Sequence, residues 1–227
     1  MSGEPEIAVP ARAMGDPARA RMLSALLGER ALSAGELARI ARLSPSSTSE
    51  HLHVLAEAGL VLVDNQGRHR YYRLANSDVA RAIESLQAIA PHAEVNSLRQ
   101  HRASREMREA RTCYDHLAGD VGLRLTDLLH QGGIIDELDV GSVGHQPKPF
   151  PDNQIVRALG LHESEGSRRP WTRGCLDWTG RRPHAAGQVG GQVLSAFRAN
   201  GWITPRPGSR AVQLTTIGER CLQELES

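Results

Sequence analysis

SPSSTSEHLHVLAEAGLVLVDNQGRHRYYRL, residues 44–74, reads as a helix followed at once by a β-hairpin. Ser44 is a natural N-cap, and Pro45 at the first helical position has its φ already set for a helix. On a helical wheel Thr48, Leu52, Leu55 and Ala56 share one face, while Ser46, Ser47, Glu50, His51, His53 and Val54 share the other. The second face is short-chained and polar near its start, which suits reading base edges in a major groove. Gly59 ends the helix as a C′ glycine. Leu60 to Val63 is then expected as a strand, Asn65-Gln66-Gly67 as its turn, and Arg68 to Leu74 as the returning strand. Arg68, His69, Arg70, Tyr71 and Arg73 put phosphate-binding groups on that hairpin.

Upstream, Asp16 and Pro17 start a helix whose buried stripe is Met22, Leu23, Leu26 and Leu27. Ser33 and Glu36 are spaced as a capping box, with Leu32 and Leu37 as its hydrophobic staple. They set a positioning helix from Ala34 to Arg42, from which Arg39 and Arg42 can reach phosphates. Residues 1–10 are expected as a loose or partly docked tail, with a first helix beginning over Ala11 to Gly15. After the hairpin, Asn76 or Ser77 caps a helix carrying Val79, Ile83, Leu86 and Ile89, and Pro91 interrupts it.

These pieces resemble the ArsR family of winged-helix repressors: Met14-Gly15-Asp16-Pro17-Ala18-Arg19, Glu36-Leu37-Ala38, Ser49-Glu50-His51-Leu52, Leu55 through Val61, and Gly67-Arg68 leading to Tyr72. The match covers about the first 90 of 227 residues. It implies a homodimeric, one-component regulator of double-stranded DNA, with dimer contacts from the first helix and the Val79–Ile89 helix. Ser44, Ser46, Ser47, Glu50, His51 and Val54 would then read bases. Metal-sensing members carry a cysteine pair early in the positioning helix, where this chain has Glu36-Leu37-Ala38-Arg39. The dimer helix offers Asp78 early and His92-Ala93-Glu94 beyond a proline, which does not make the repeated His/carboxylate pattern of the other family site. A soft metal has no thiolate at the first position, so sensing is expected elsewhere.

The chain is long enough for two modest domains and 40% hydrophobic, ample for folded cores. Its formal charge of +1 excludes a generally sticky cation, so DNA affinity must come from local arginines. No apolar run is long enough to span a membrane, and Met1 to Pro10 has acidic residues and no apolar run, so no signal peptide is expected and the cytoplasm is the expected compartment. Three cysteines there argue for buried groups, ligands or redox groups rather than a disulfide framework.

The C-terminal half contains a duplication. His116-Leu-Ala-Gly119-Asp-Val121-Gly122 recurs 68 residues later as His184-Ala-Ala-Gly187-Gln-Val189-Gly190, and the match runs on without a gap from Leu125–Ile135 to Val193–Ile203. Just upstream, Arg111, Cys113 and Asp115 recur as Arg173, Cys175 and Asp177, with Trp178 to Pro183 as extra residues of the second copy. The expected architecture is mainly α with small β-hairpin wings. An N-terminal winged helix (1–92) is followed by a charged connector helix (93–111, its helix from Asn96 to Arg111) and a tandem, degenerate winged-helix-like domain (112–227). In the second copy, Ala185, Ala186, Gly187, Gly190 and Gly191 belong to a helix whose small residues suit packing more than base reading.

Three readings of the repeated polar residues stay open. Buried Cys, paired Asp and bonded His are ordinary core groups. A small-molecule effector pocket between the copies would use Arg111, Cys113, Tyr114, His116, Cys175, Asp177, Trp178, Arg181 and His184, helped by Trp171 and Arg182 and by helix N-termini that favour anions. A metal site, or a thiol pair, would use Cys113, His116, Cys175 and His184, the first two sharing one helix face at i and i+3. No cofactor is needed for DNA binding. Catalysis is not expected, because no nucleophile elbow, phosphate loop or nucleotide fingerprint accompanies the cysteines. The alternatives are a winged-helix scaffold for protein contacts and a thiol-dependent enzyme fused to a DNA-binding domain.

Overall fold

Asp16, Ser33, Ser44 and Asn76 each offer a side-chain oxygen where a helix must begin, and all four accept backbone N–H groups of the first turn. The computed structural model describes residues 3–28, 30–67, 69–91, 96–164 and 166–227. They form two compact units, one ending at Ile83 and one beginning at Glu84. Among the described residues no helix is long and apolar enough to cross a membrane.

The first unit runs α1 (Ala8–Met14), α2 (Pro17–Leu26), β1 (Leu32–Ser33), α3 (Ala34–Ala41), α4 (Pro45–Glu57), β2 (Val61–Gln66), β3 (His69–Leu74) and the start of α5 (Ser77–Ile89). The capping box of α3 is complete, with both the Ser33 and Glu36 bonds made. Thr48, Leu52 and Leu55 of α4 are buried with Met22, Leu23, Leu26 and Leu37, so the periodicity put the apolar stripe on the right face. The strands form one antiparallel sheet in the order β1-β3-β2, Leu32 opposite Tyr72 and Val61 opposite Leu74.

Three expectations are corrected here. The loose tail through Pro10 gives way to α1 from Ala8, which closes through the Gly15 N–H on Ala11 and buries Ala13. The hairpin is longer than expected: pairing continues to Gln66 opposite His69, and Gly67 turns at φ 58°. β1 is additional. Two residues carry too little pattern to announce a strand, and only the free edge of β3 draws them into the sheet.

The second unit continues α5 from Glu84 and then runs α6 (Leu98–Glu109), β4 (Arg111–Thr112), β5 (Leu117–Ala118), α7 (Asp120–Gln131), β6 (Val143–Gly144), α8 (Gln154–Leu159), β7 (Thr172–Leu176), β8 (Pro183–Ala186), α9 (Gly187–Ala199), β9 (Ile203–Pro205), β10 (Val212–Leu214) and α10 (Thr216–Glu226). Its core gathers Leu125, Leu129, Trp171, Val189, Phe197 and Leu222 from both halves of the unit. The duplication is a hairpin followed by a helix: β4–β5–α7, then β7–β8–α9. Its glycines explain themselves at equivalent positions. A Cβ at Gly122 would lie 2.5 Å from the Leu117 carbonyl oxygen, and one at Gly190 2.5 Å from that of Ala185. Each helix therefore rests against the strand before it, closer than any side chain permits.

Several boundaries differ from the sequence reading. The chain divides at Ile83/Glu84 rather than at 92, because Glu84 and Gln87 both accept from Arg210. The connector helix stops at Glu109, and Arg111 lies in β4, fully buried. α6 itself keeps charge on all sides and buries nothing, stitched by Arg102–Glu106 and Arg105–Glu109 pairs. Cys113 and His116 share no helix face, since they face each other across the β4–β5 turn. Ala185 and Ala186 belong to β8, not to a helix. The Gly141–Pro151 loop contributes β6 to the β7–β8 sheet. His92, Ala93 and Glu94 lie outside the described residues.

The glycine contacts give a paired test. Gly190→Ala should lose about 1–3 kcal/mol of stability by overpacking. The neighbouring Gly191→Ala meets nothing closer than 3.9 Å and should gain about 0.5–1 kcal/mol as a better helix former. Urea unfolding followed by circular dichroism measures both; equal effects would contradict the close hairpin–helix contact.

Candidate functional site

Two places carry chemistry, one in each unit. In the first, α4 turns Ser46, Ser49, Glu50, His53 and Val54 to solvent, with Ser47 half-buried beside its cap. The Ser44 hydroxyl accepts from the Ser47 N–H at 3.2 Å and reaches the hydroxyls of Ser46 and Ser47 at 3.1 Å, so the serines form one small hydroxyl cluster at the helix start. His51 is drawn away from that outer face. Its Nδ1 lies 3.5 Å from Asp16 and 3.4 Å from the Arg19 guanidinium, and the ring is half-buried. Arg39 and Arg42 are exposed on and just after α3, Arg42 in the left-handed conformation. On the wing His69 and Arg70 are exposed and Tyr71 half-buried, whereas Arg73 is paired with Asp64 at 2.8 Å. Arg68 lies outside the described residues.

The second place is a buried polar cluster built by the duplicated hairpins. In β7–β8, Cys175 stands directly opposite His184; in β4–β5, the Cys113 N–H donates to the His116 carbonyl at 2.9 Å. The two Cys–His pairs meet. Cys113 Sγ is 3.7 Å from Cys175 Sγ, and His116 Nε2 is 3.0 Å from His184 Nε2. One ligand atom from each of the four residues lies within 4.8 Å of every other. Cys113, His116 and His184 are buried and Cys175 is half-buried.

Each imidazole is backed by the aspartate of its own copy. His116 Nδ1 is 3.2 Å from Asp115, and His184 Nδ1 is 3.9 Å from Asp177. Each acid around the cluster also has an arginine. Asp115 pairs with Arg169, Asp177 with Arg111 at 2.9 Å, and Glu84 with Arg210 at 3.1 Å. Glu84 Oε2 accepts from the Cys113 thiol and lies 3.3 Å from Cys175 Sγ.

The electrostatics follow from this neighbourhood. Burial pushes the Cys113 thiol well up. The hydrogen bond from Cys113, with those of His116 and His184, holds Cys175 far below the usual thiol range against its own burial. Burial opposes a charged His116, yet the Asp115 bond and the Cys175 charge carry it up to about 9. Burial likewise opposes charge on Asp115 and Asp177, but His116 and Arg169 hold the first down to about 2, and Arg111 with three hydrogen bonds holds the second lower still. Burial, then the Cys175 charge, raises Glu84. A thiolate–imidazolium pair of Cys175 and His116 and the protonated Cys113 thiol thus share one enclosed space.

The pocket expected from the sequence is not assembled. Arg111 is buried against Asp177, stacked 4.5 Å from the Trp178 ring, and so cannot clamp an external anion. The N-terminus of α7 is already served by an internal carboxylate, since Asp177 accepts the Gly119 N–H at 2.7 Å. Trp171 is core, its indole N–H bonded to Ile134. Arg182 is paired with Asp127 at 2.6 Å, Arg181 is exposed, and Tyr114 is half-buried. A cleft of about 390 Å³ does exist in this unit, but Glu106, Asp120, Arg124, Arg206 and Glu219 line it and none of the repeated Cys or His does. Contact distances within the cluster leave room for an ion or a bond, not for an organic molecule. The sequence reading missed Glu84 and Arg210. Glu84 adjoins Ile83 but lies off the expected stripe of Val79, Ile83, Leu86 and Ile89, so no local signal marked it as buried.

Comparison with known proteins finds a helix-turn-helix in the first unit and one relative whose similarity runs through both units. A family model described as a helix-turn-helix domain matches residues 14–64. The HTH-type transcriptional regulator YdfF of Bacillus subtilis (strain 168) is 39% identical over 218 residues, 95% of this chain and 94% of that protein. The HTH-type transcriptional regulator CmtR of Mycobacterium tuberculosis (strain ATCC 25618 / H37Rv) is 43% identical over 75 residues, 33% of this chain and 63% of that protein. The biofilm growth-associated repressor of Agrobacterium fabrum (strain C58 / ATCC 33970) is 37% identical over 84 residues, 37% of this chain and 71% of that protein. The similarity to YdfF therefore includes the duplicated half, whereas the other two match only about a third of the chain.

The burial of the charges sets their energetic weight. Asp177→Ala strands Arg111 and should cost about 3–5 kcal/mol, whereas Asp127→Ala removes an exposed partner and should cost less than about 1 kcal/mol. Urea denaturation midpoints of the two variants give the comparison.

Proposed function

Since the chain belongs to the helix-turn-helix transcriptional regulators of the ArsR type, we propose that it acts as a homodimeric repressor on an inverted-repeat operator, released by an event in its C-terminal half. The observation that carries the reading is α4: a capped helix whose short polar outer face stands clear of the core and is followed directly by a wing with His69 and Arg70 in solvent. Ser46, Ser47, Glu50 and Val54 read bases, with Arg39, Arg42, Arg68 and Arg70 on phosphates. His51, tied to Asp16 and Arg19, fixes the orientation of α4 rather than reading a base.

Dimer formation is supported by apolar side chains left uncovered on helices that ArsR-like proteins use for pairing. Ile7 and Val9 at α1 are 78% and 45% exposed, and Leu86 and Ile89 on α5 are 48% and 81% exposed. Control from the C-terminal half is supported by Glu84, a residue of α5 that belongs to the buried Cys/His cluster. The thiol-enzyme alternative is served less well, because the low-lying Cys175 thiol is already engaged by Cys113, His116 and His184.

Binding to promoter DNA measured by fluorescence anisotropy tests the reading. Ser47→Ala combined with Glu50→Ala should weaken specific binding tenfold or more, about 1–3 kcal/mol per lost base contact, without weakening binding to unrelated DNA. Arg70→Ala should weaken binding to any DNA and lower the salt slope by about one. Leu86→Glu with Ile89→Glu should turn dimer into monomer in sedimentation and reduce operator affinity with it. A double Ser47/Glu50 variant with unaltered sequence preference would remove the assigned reading face.

A further inference from the structure

We propose that Cys113, His116, Cys175 and His184 form a tetrahedral binding site for one d10 metal ion, zinc or a softer relative, held between the two copies of the duplicated hairpin. This deepens the reading of a controlled regulator, and rests on it only where the ion is given a regulatory role; the site itself stands on its own geometry.

Three observations carry it. The first is distance. With zinc–sulfur bonds of about 2.3 Å and zinc–nitrogen bonds of about 2.0–2.1 Å, a tetrahedral site has a sulfur–sulfur edge of about 3.7–3.8 Å and a nitrogen–nitrogen edge of about 3.3 Å. The corresponding separations here are 3.7 Å and 3.0 Å. Two edges of such a tetrahedron are therefore close to their bound lengths, and all four donor atoms lie within 4.8 Å of one another.

The second is orientation. His116 turns Nδ1 to Asp115 at 3.2 Å and His184 turns Nδ1 to the side of Asp177 at 3.9 Å, so both Nε2 atoms point into the cluster. The two Nε2 atoms meet 3.0 Å apart, which requires a proton on one of them or a cation between them, and a metal ion fills the second role. Carboxylate, imidazole and metal in that succession is the usual second layer of a zinc site, where the carboxylate sets the tautomer and the ring angle. A disulfide between the two cysteines would give neither histidine a reason to point inward.

The third is charge. Asp115, Asp177 and Glu84 each have an arginine of their own, so no surrounding acid is left to balance an ion. The ligands supply the balance themselves. One divalent ion enters, the two sulfurs bind as thiolates, both imidazoles bind neutral, and the protons that these groups carried leave to solvent; the loaded site is neutral. Two thiolates and two imidazoles select zinc, cadmium or another thiophilic d10 ion over magnesium or calcium.

Loading also changes what Glu84 touches. The Cys113 thiol that donates to Glu84 Oε2 loses its proton, while Arg210 keeps Oε1. Glu84 sits in the middle of α5, Ser77–Ile89, the helix whose exposed Leu86 and Ile89 are assigned above to pairing. The ion thereby acts on the dimer helix through one hydrogen bond.

The test uses full-length protein, stripped with EDTA under reducing conditions, incubated with zinc sulfate, desalted and analysed for zinc per chain. One ion per chain is expected in wild type and in Cys221→Ser, and fewer than about 0.1 in Cys113→Ser or His184→Ala. Cobalt(II) replaces zinc in a parallel sample and needs no variant. A tetrahedral visible spectrum with a thiolate-to-cobalt charge-transfer band supports the site; an octahedral spectrum without that band overturns it. So does zinc below 0.1 per wild-type chain, or a Cys113–Cys175 disulfide in freshly isolated protein that excludes the ion. Operator affinity is read on the same samples with and without zinc. A bound ion that leaves affinity unaltered upholds the site and overturns its regulatory role, while wild-type protein that takes up less than about 0.1 zinc per chain and still binds the operator overturns the site and leaves the regulator standing.

Discussion

The second unit depends on one carboxylate. Asp177 Oδ2 accepts from Arg111 and from the Gly119 N–H, both in the first copy, while Oδ1 accepts from Thr179 and Gly180 in its own hairpin turn. One side chain thus shapes the β7–β8 turn, caps α7 and neutralises the buried Arg111. The carboxylate is an acceptor with about four lone-pair sites, and here they are directed to partners about 60 residues apart in the chain. Burial of such a pair contributes little net stability in itself, but it leaves no cheap alternative arrangement, because any slip strands two charges in a low-dielectric interior.

From that constraint the cluster follows. With the hairpins locked together, the residues at equivalent positions must meet near the axis that relates them, and those residues are Cys113 with Cys175 and His116 with His184. Gly122 and Gly190 permit the approach, since each lets its helix lie against a strand carbonyl at a distance no Cβ tolerates. The duplication therefore produces more than a larger core: it converts one Cys–His hairpin into four converging donors. A single copy would offer only two, too few to hold an ion out of water.

The first unit obeys different rules. Its helices are set by local caps, its stripe by period, and its exposed polar face by what the stripe leaves over. The surface proposed to meet DNA lies on α4 and the hairpin rather than on long loops. α5 belongs to both descriptions. Ala80 and Ile83 are buried in its first half, and Glu84 and Gln87 bond Arg210 in its second.

The amino-acid sequence by itself determined the cap of every helix in the first unit after α1, the inner face of α4, the place of the wing, and the duplication with the Cys and His positions that it repeats. These are statements about neighbours within a few positions or about identity between copies, and short-range bonds and period suffice for them. It did not determine β1, β4–β5 or β7–β8, because two- to five-residue strands take their form from the edge they join. Nor could it tell that Arg111 is an internal counter-charge, that His51 is tied to Asp16, or that Glu84 and Arg210 enclose the cysteines. Each depends on a partner between 35 and 126 residues away. Such partners are chosen by packing, and a buried charge can be read only when the group that neutralises it is in view.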